Sequence, residues 1–159
     1  MSTHTRIAAA LAVTLTAAAV AIPALSGAHT TGATTQVMKF YDKPATLTLT
    51  DTNGHVTSRP PYPQAKAGDV LDVYSLDYVG NHVHHASRWS ASDHLRCTFG
   101  HGAPVCESNL AIGDSLLVFN GNKLVGATGR YQGATGRVLS IKEVPNSQDD
   151  SDTVLQIKR

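Results

Sequence analysis

The sequence predicts an all-β domain, a closed barrel or a sandwich, and three observations carry that expectation. From residue 36 onward, no twelve-residue window shows a convincing 3.6-residue apolar period. Short period-two runs recur instead: Ala45 to Thr50 sets Leu47 and Leu49 on one face and Thr46, Thr48 and Thr50 on the other. Gly, Pro, Asn and Asp punctuate these runs at fairly regular spacing, the rhythm of short antiparallel strands.

The chain has 159 residues, and its first 28 hold ten Ala and one formal charge, Arg6. Arg6 with the amino terminus makes a positive start, and Ile7 to Ile22 is a 16-residue uncharged stretch ended by Pro23. Ser26-Gly27-Ala28 offers the small residues a signal peptidase needs, so residues 1–28 read as a secretory signal peptide cut near Ala28-His29. The stretch falls short of the roughly 20 apolar residues that span a bilayer, so no membrane span is expected after processing. Residues 29–35 read as a flexible leader and 36–159 as one domain. The 131 residues from His29 hold 12 basic and 12 acidic side chains (13 less Arg6, against 12), so nucleic acid is not expected as a partner.

The expected strands follow in order. Val37 to Tyr41 and Ala45 to Thr50 come first, with a turn at Asp51-Thr52-Asn53-Gly54. The proline-rich stretch Arg59-Pro60-Pro61-Tyr62-Pro63 reads as a surface loop, because Pro donates no ladder hydrogen bond. Val70 to Tyr78 is a strand that Gly80-Asn81 turns into a second, His82 to Trp89. Leu95 to Phe99 and Val105 to Ala111 flank a Gly- and Pro-containing hairpin with Cys97 and Cys106 at its two ends. An even cysteine count in an exported chain, without C-x-x-C spacing, reads as a structural disulfide worth roughly 2–3 kcal/mol. Ser115 to Phe119 and Lys123 to Val125 meet at Asn120-Gly121, which predicts a type I′ turn. Arg137 to Val144 and Thr153 to Lys158 close the chain.

The tetrad G-A-T-G occurs twice, with its glycines at Gly126, Gly129, Gly133 and Gly136. It lacks the Gly-Lys-Ser/Thr ending of a phosphate loop, and no helix pattern follows it, so a structural role at a strand corner is expected. The stretch Gly126 to Val138, G-A-T-G-R-Y-Q-G-A-T-G-R-V, resembles the late signature of the allene oxide cyclase-like and dirigent-like superfamily, especially its exported bacterial members. Gly68-Asp69 before a strand ending in Leu76-Asp77-Tyr78, then Gly80-Asn81, Cys97-Thr98, Cys106 and the closing Asp152-Thr153-Val154-Leu155 extend the resemblance across most of Lys39 to Ile157.

The resemblance implies an antiparallel eight-stranded barrel, lipocalin-like in architecture, with an apolar cavity and no cofactor. It implies that a small apolar or phenolic molecule binds inside and has its cyclisation or isomerisation steered. The short Ser115 to Val125 hairpin departs from the family and implies a slightly shortened barrel. Catalytic positions do not transfer. The alternatives are a non-catalytic secreted or envelope-associated binding barrel and a metal-binding module, and a homo-oligomer stays open.

The residues themselves offer candidates. Tyr74, Asp77, Tyr78, Arg88 and Trp89 are expected on paired strands around Gly80-Asn81, as pocket wall, general base and anion clamp, or as barrel exterior with an Asp77–Arg88 ion pair. Tyr131 is expected to pack against the glycine corner, and it remains a pocket candidate. His82 and His84, with His94 or Asp77, are weak metal candidates if His82 and His84 share a strand face. Asp149, Asp150 and Asp152 lack the spaced oxygens of a calcium loop and read as solvated.

Overall fold

The structure, a computed structural model, describes residues 34–58, 63–147 and 149–159. The expected signal peptide, most of the leader and the Arg59 to Tyr62 part of the loop lie outside the described residues. Nine strands form one antiparallel sheet: β1 (Thr35–Thr50), β2 (Val56–Thr57), β3 (Val70–Val79), β4 (Ala91–Thr98), β5 (Val105–Ile112), β6 (Ser115–Asn120), β7 (Lys123–Ala127), β8 (Thr135–Glu143) and β9 (Ser151–Lys158). Among the described residues the one helical element is a single 3₁₀ turn, Gly129–Tyr131.

β1 closes the sheet into a barrel. Its first half pairs with β9, from Thr35 against Lys158 to Asp42 against Ser151. Its second half pairs with β3, from Phe40 against Val79 to Thr50 against Val70. The other neighbours follow chain order, so eight strands form a closed antiparallel barrel and β2 is an extra two-residue strand on the end of β1. The two early strands expected from the sequence are thus one 16-residue strand. Pro44 is accommodated because β9 has already left this part of β1, and a register shift between Pro44 and Thr46 absorbs Ala45 as a bulge.

Two local expectations are corrected. His82 to Trp89 is a loop rather than a strand, apart from an isolated bridge between Gly80 and His85. Asn81 ends the strand: its side-chain Oδ1 accepts from the backbone N–H of Val83 at 3.0 Å and of His84 at 2.7 Å, an Asx turn that competes with a ladder. The new strand starts only at Ala91. The β6–β7 turn is also displaced by one residue. Asn120 pairs with Lys123, so Gly121 and Asn122 are the central residues; Gly121 has φ +54° and Asn122 is not at positive φ. That is the pattern of a turn with Gly at its first central position, not type I′.

The interior divides in two. One cluster gathers Met38, Phe40, Leu117, Phe119, Leu155 and Ile157 around the 3₁₀ turn that inserts Tyr131, itself 1% exposed. The other gathers Leu49, Leu71 and Val73 against the Cys97–Cys106 disulfide, which joins directly opposed residues of β4 and β5 with Cα atoms 4.0 Å apart. Gly129 makes the Tyr131 insertion possible. It sits at φ +57°, and a Cβ there would meet the Ser115 hydroxyl.

Candidate functional site

Strand alternation decides which side chains reach the space between the two clusters. On β1, Met38 and Phe40 point inward, so Asp42 does too, and it lies directly opposite Asp77 of β3. On β3, Leu71, Val73 and Ser75 are the buried series that Asp77 continues. On β4, the series Ala91, Asp93, Leu95, Cys97 places Asp93 inside, opposite Ser75. Three carboxyl groups from three adjacent strands therefore share one interior region. β9 adds two hydroxyls: Thr153 donates to Asp42 Oδ2 at 2.5 Å and Ser151 donates to the same oxygen at 3.1 Å.

The environment separates the three acids. Asp77 is 1% exposed and neither carboxyl oxygen has a hydrogen-bond partner. Burial pushes its pKa up to about 9, and the neighbouring charges of Asp93 and Asp42 act in the same direction. Burial raises Asp42 to about 7 against the opposing hydrogen bond from Thr153. Burial raises Asp93 to about 6, against a hydrogen bond from Ser75 and the charge of His94. At neutral pH the cluster thus holds a protonated carboxylic acid beside a largely ionised carboxylate.

Solvent reaches part of this region. Although register turns them inward, Asp42, Asp93, Leu95, Ser108 and Thr153 are only half-buried, and Ile141, opposite Thr153, is 47% exposed. The barrel is packed around Tyr131, and its inward positions on β1, β4, β5, β8 and β9 nearest the three carboxyl groups are the less buried ones.

The sequence-predicted residues are distributed by the same alternation rather than gathered. Asp77 alone of the six enters the carboxyl cluster. Tyr74 is on the outer face, 44% exposed, beside a shallow groove of about 360 Å³ lined by Thr46, Thr48, Asp72 and His94. Tyr78 is also outside, with ring centroids 6.1 Å from Tyr41 and 5.4 Å from His85. Arg88 and Trp89 are exposed in the β3–β4 loop, and Arg88 forms no ion pair with Asp77. Tyr131 is core, with its hydroxyl 3.5 Å from Met38 Sδ and the guanidinium of Arg130 4.9 Å from its ring centroid.

The histidines are separated too. His82 Nδ1 lies 2.6 Å from Asp152 Oδ2, His84 is exposed, and His94 Nε2 lies 3.1 Å from Asp72 Oδ1 on the outer face. Asp150 accepts from the Tyr41 hydroxyl, and that bond, with a lesser contribution from burial, raises the Tyr41 pKa to about 12. Among the described residues no group of three or more His, Cys, Asp or Glu is placed to hold a metal ion. A second outer groove, of about 340 Å³, runs beside the cysteine hairpin between Arg96, Phe99, Val105 and Glu107.

Asp42 and Asp93 are the site residues that the sequence reading missed. The signal for both was the period-two series: Asp42 two residues beyond Phe40, and Asp93 two beyond Ala91. Among the described residues no helix is long and apolar enough to cross a membrane. The disulfide points to an oxidising compartment. Comparison with family models, curated proteins and solved structures gave no match to this chain.

Proposed function

We propose that this protein is an exported barrel, similar to the allene oxide cyclase-like and dirigent-like proteins, that takes a small apolar or phenolic molecule into its interior and steers its cyclisation or isomerisation. The observation that carries this reading is Asp77, fully buried and unpartnered beside Asp42 and Asp93 under a partly accessible inner face. Cyclisations and isomerisations move protons without net oxidation. An acid and a base held at different pKa values in one partly buried site are sufficient for that chemistry. Asp77 is the proton donor, Asp93 the acceptor, and Asp42, fixed by Thr153 and Ser151, the intermediary. Leu95 and Ile141 supply apolar wall.

The test is native mass spectrometry of the protein from its own culture medium. A retained small molecule, lost on replacement of Ile141 by a charged residue, is the expected result. Bare protein that also fails to take up apolar or phenolic probes overturns the reading. A second reading, a non-catalytic binding barrel, is favoured by the packed half around Tyr131 and by the outer-face position of both grooves. A retained molecule recovered chemically unchanged by added protein supports that alternative.

A further inference from the structure

We propose that the Asp42–Asp77–Asp93 cluster is a headgroup subsite for an organic ammonium ion, so that the preferred ligand is a primary amine with an apolar body. The inference rests on the reading that ligands enter the barrel, and it narrows their class. Its first support is the uncompensated chemistry of the interior. No Lys, Arg or His of the barrel strands is turned inward: Lys39, Lys43, Arg96, Lys123, Arg137, Lys142 and Lys158 all alternate to the outer face. None of the three ion pairs among the described residues involves these aspartates.

The second support is Asp77 itself. Buried carboxyl groups ordinarily find partners, and both oxygens of this one are left without any, on a residue directly opposite Asp42. A ligand that brought donors and positive charge would satisfy it. An ammonium group carries three N–H donors and no acceptor, which suits carboxyl groups that are all acceptors once Asp77 has released its proton. Thr153 and Ser151 hydroxyls orient Asp42, and the Ser75 hydroxyl orients Asp93. The half-buried Leu95 and exposed Ile141 give the amine's hydrocarbon body a surface to cover.

Proton balance follows from the same chemistry. Binding R–NH₃⁺ to the cluster ionises a carboxylic acid that the empty barrel keeps protonated, one proton leaves to solvent, and the bound ammonium replaces Asp77 as the proton donor. Calorimetry with n-hexylamine and n-hexanol, near neutral pH and in two buffers of different ionisation enthalpy, tests this on the disulfide-bonded protein. The expected result is binding of the amine at least roughly tenfold tighter than the alcohol, with a buffer-dependent heat for the amine only. In Asp77→Asn the amine should lose that advantage while the alcohol binds as before. Equal or tighter binding of the alcohol by the unaltered protein overturns the ammonium subsite and leaves the ligand-binding barrel standing. A preference for amine that persists unchanged in Asp77→Asn also overturns the subsite. Binding of neither probe overturns both the subsite and the barrel reading beneath it.

Discussion

Asp42 and Asp77 face each other directly across the β1–β3 pair, both turned into the barrel. Like-sign groups directly opposite one another are destabilising when both are ionised, so the pair is tolerated because protons remain on it.

The pH dependence of stability follows from that arrangement. Asp93, Asp42 and Asp77 have folded-state pKa values of about 6, 7 and 9, against 3.8 for an ordinary Asp. Between those limits the folded barrel binds protons that the unfolded chain has released. Their contribution to stability is complete below the ordinary value and is lost as pH rises through the three folded values. Thermal unfolding should show a melting temperature that falls steadily from pH 5 to pH 9; a profile rising with pH contradicts the assignment.

Asp77→Asn separates charge from shape. The neutral amide resembles the protonated acid, so the variant and the parent should unfold at similar denaturant concentration near pH 5. Above pH 8 the variant should be the more stable, by about 1–3 kcal/mol, the typical cost of an unpartnered buried polar or charged group. Urea titrations at the two pH values measure the difference.

Reduction of the Cys97–Cys106 bridge, or its replacement by paired serines, should cost roughly 2–4 kcal/mol. The loop it closes is short, with a sequence separation of 9, which places the expectation at the low end. Paired urea titrations with and without reductant give the value, and an unchanged midpoint contradicts it.

Tyr131 and Gly129 test the plug at the packed end. Tyr131→Ala should destabilise by about 3–5 kcal/mol, because a large side chain leaves a void in a filled core. Tyr131→Phe should cost far less, because the hydroxyl meets only the weak acceptor Met38 Sδ. Gly129→Ala combines positive φ with a clash against Ser115, and should cost about 1–3 kcal/mol. Chemical denaturation of the three variants should rank them in that sense.

The barrel was legible in the sequence because period-two runs and turn residues are local signals. Val70 to Tyr78, the cysteine hairpin and the closing strand sit where those signals put them. His82 to Trp89 deceived because polar residues alternate there without an apolar face to bury, and the Asn81 side chain captured the backbone first. The carboxyl cluster was half legible. Asp77 stood out by its neighbours, yet Tyr74 and Tyr78, three residues before and one after it, fall on the opposite face of the same strand. Asp42 was hidden because Pro44 made one strand look like two. Only the cross-strand register, a long-range property, sets it against Asp77.

β1 also dictates the order of assembly. Its first half has its partner in β9, so Thr35 finds Lys158 across nearly the whole described chain. Until the last strand arrives, that half and the far side of β8 are bare edges, open to any extended peptide nearby. Closure is then a late and all-or-none event. The newly made protein is most prone to aggregate while β9 is still missing, and truncation of that one strand should leave a sticky open sheet in place of a smaller barrel.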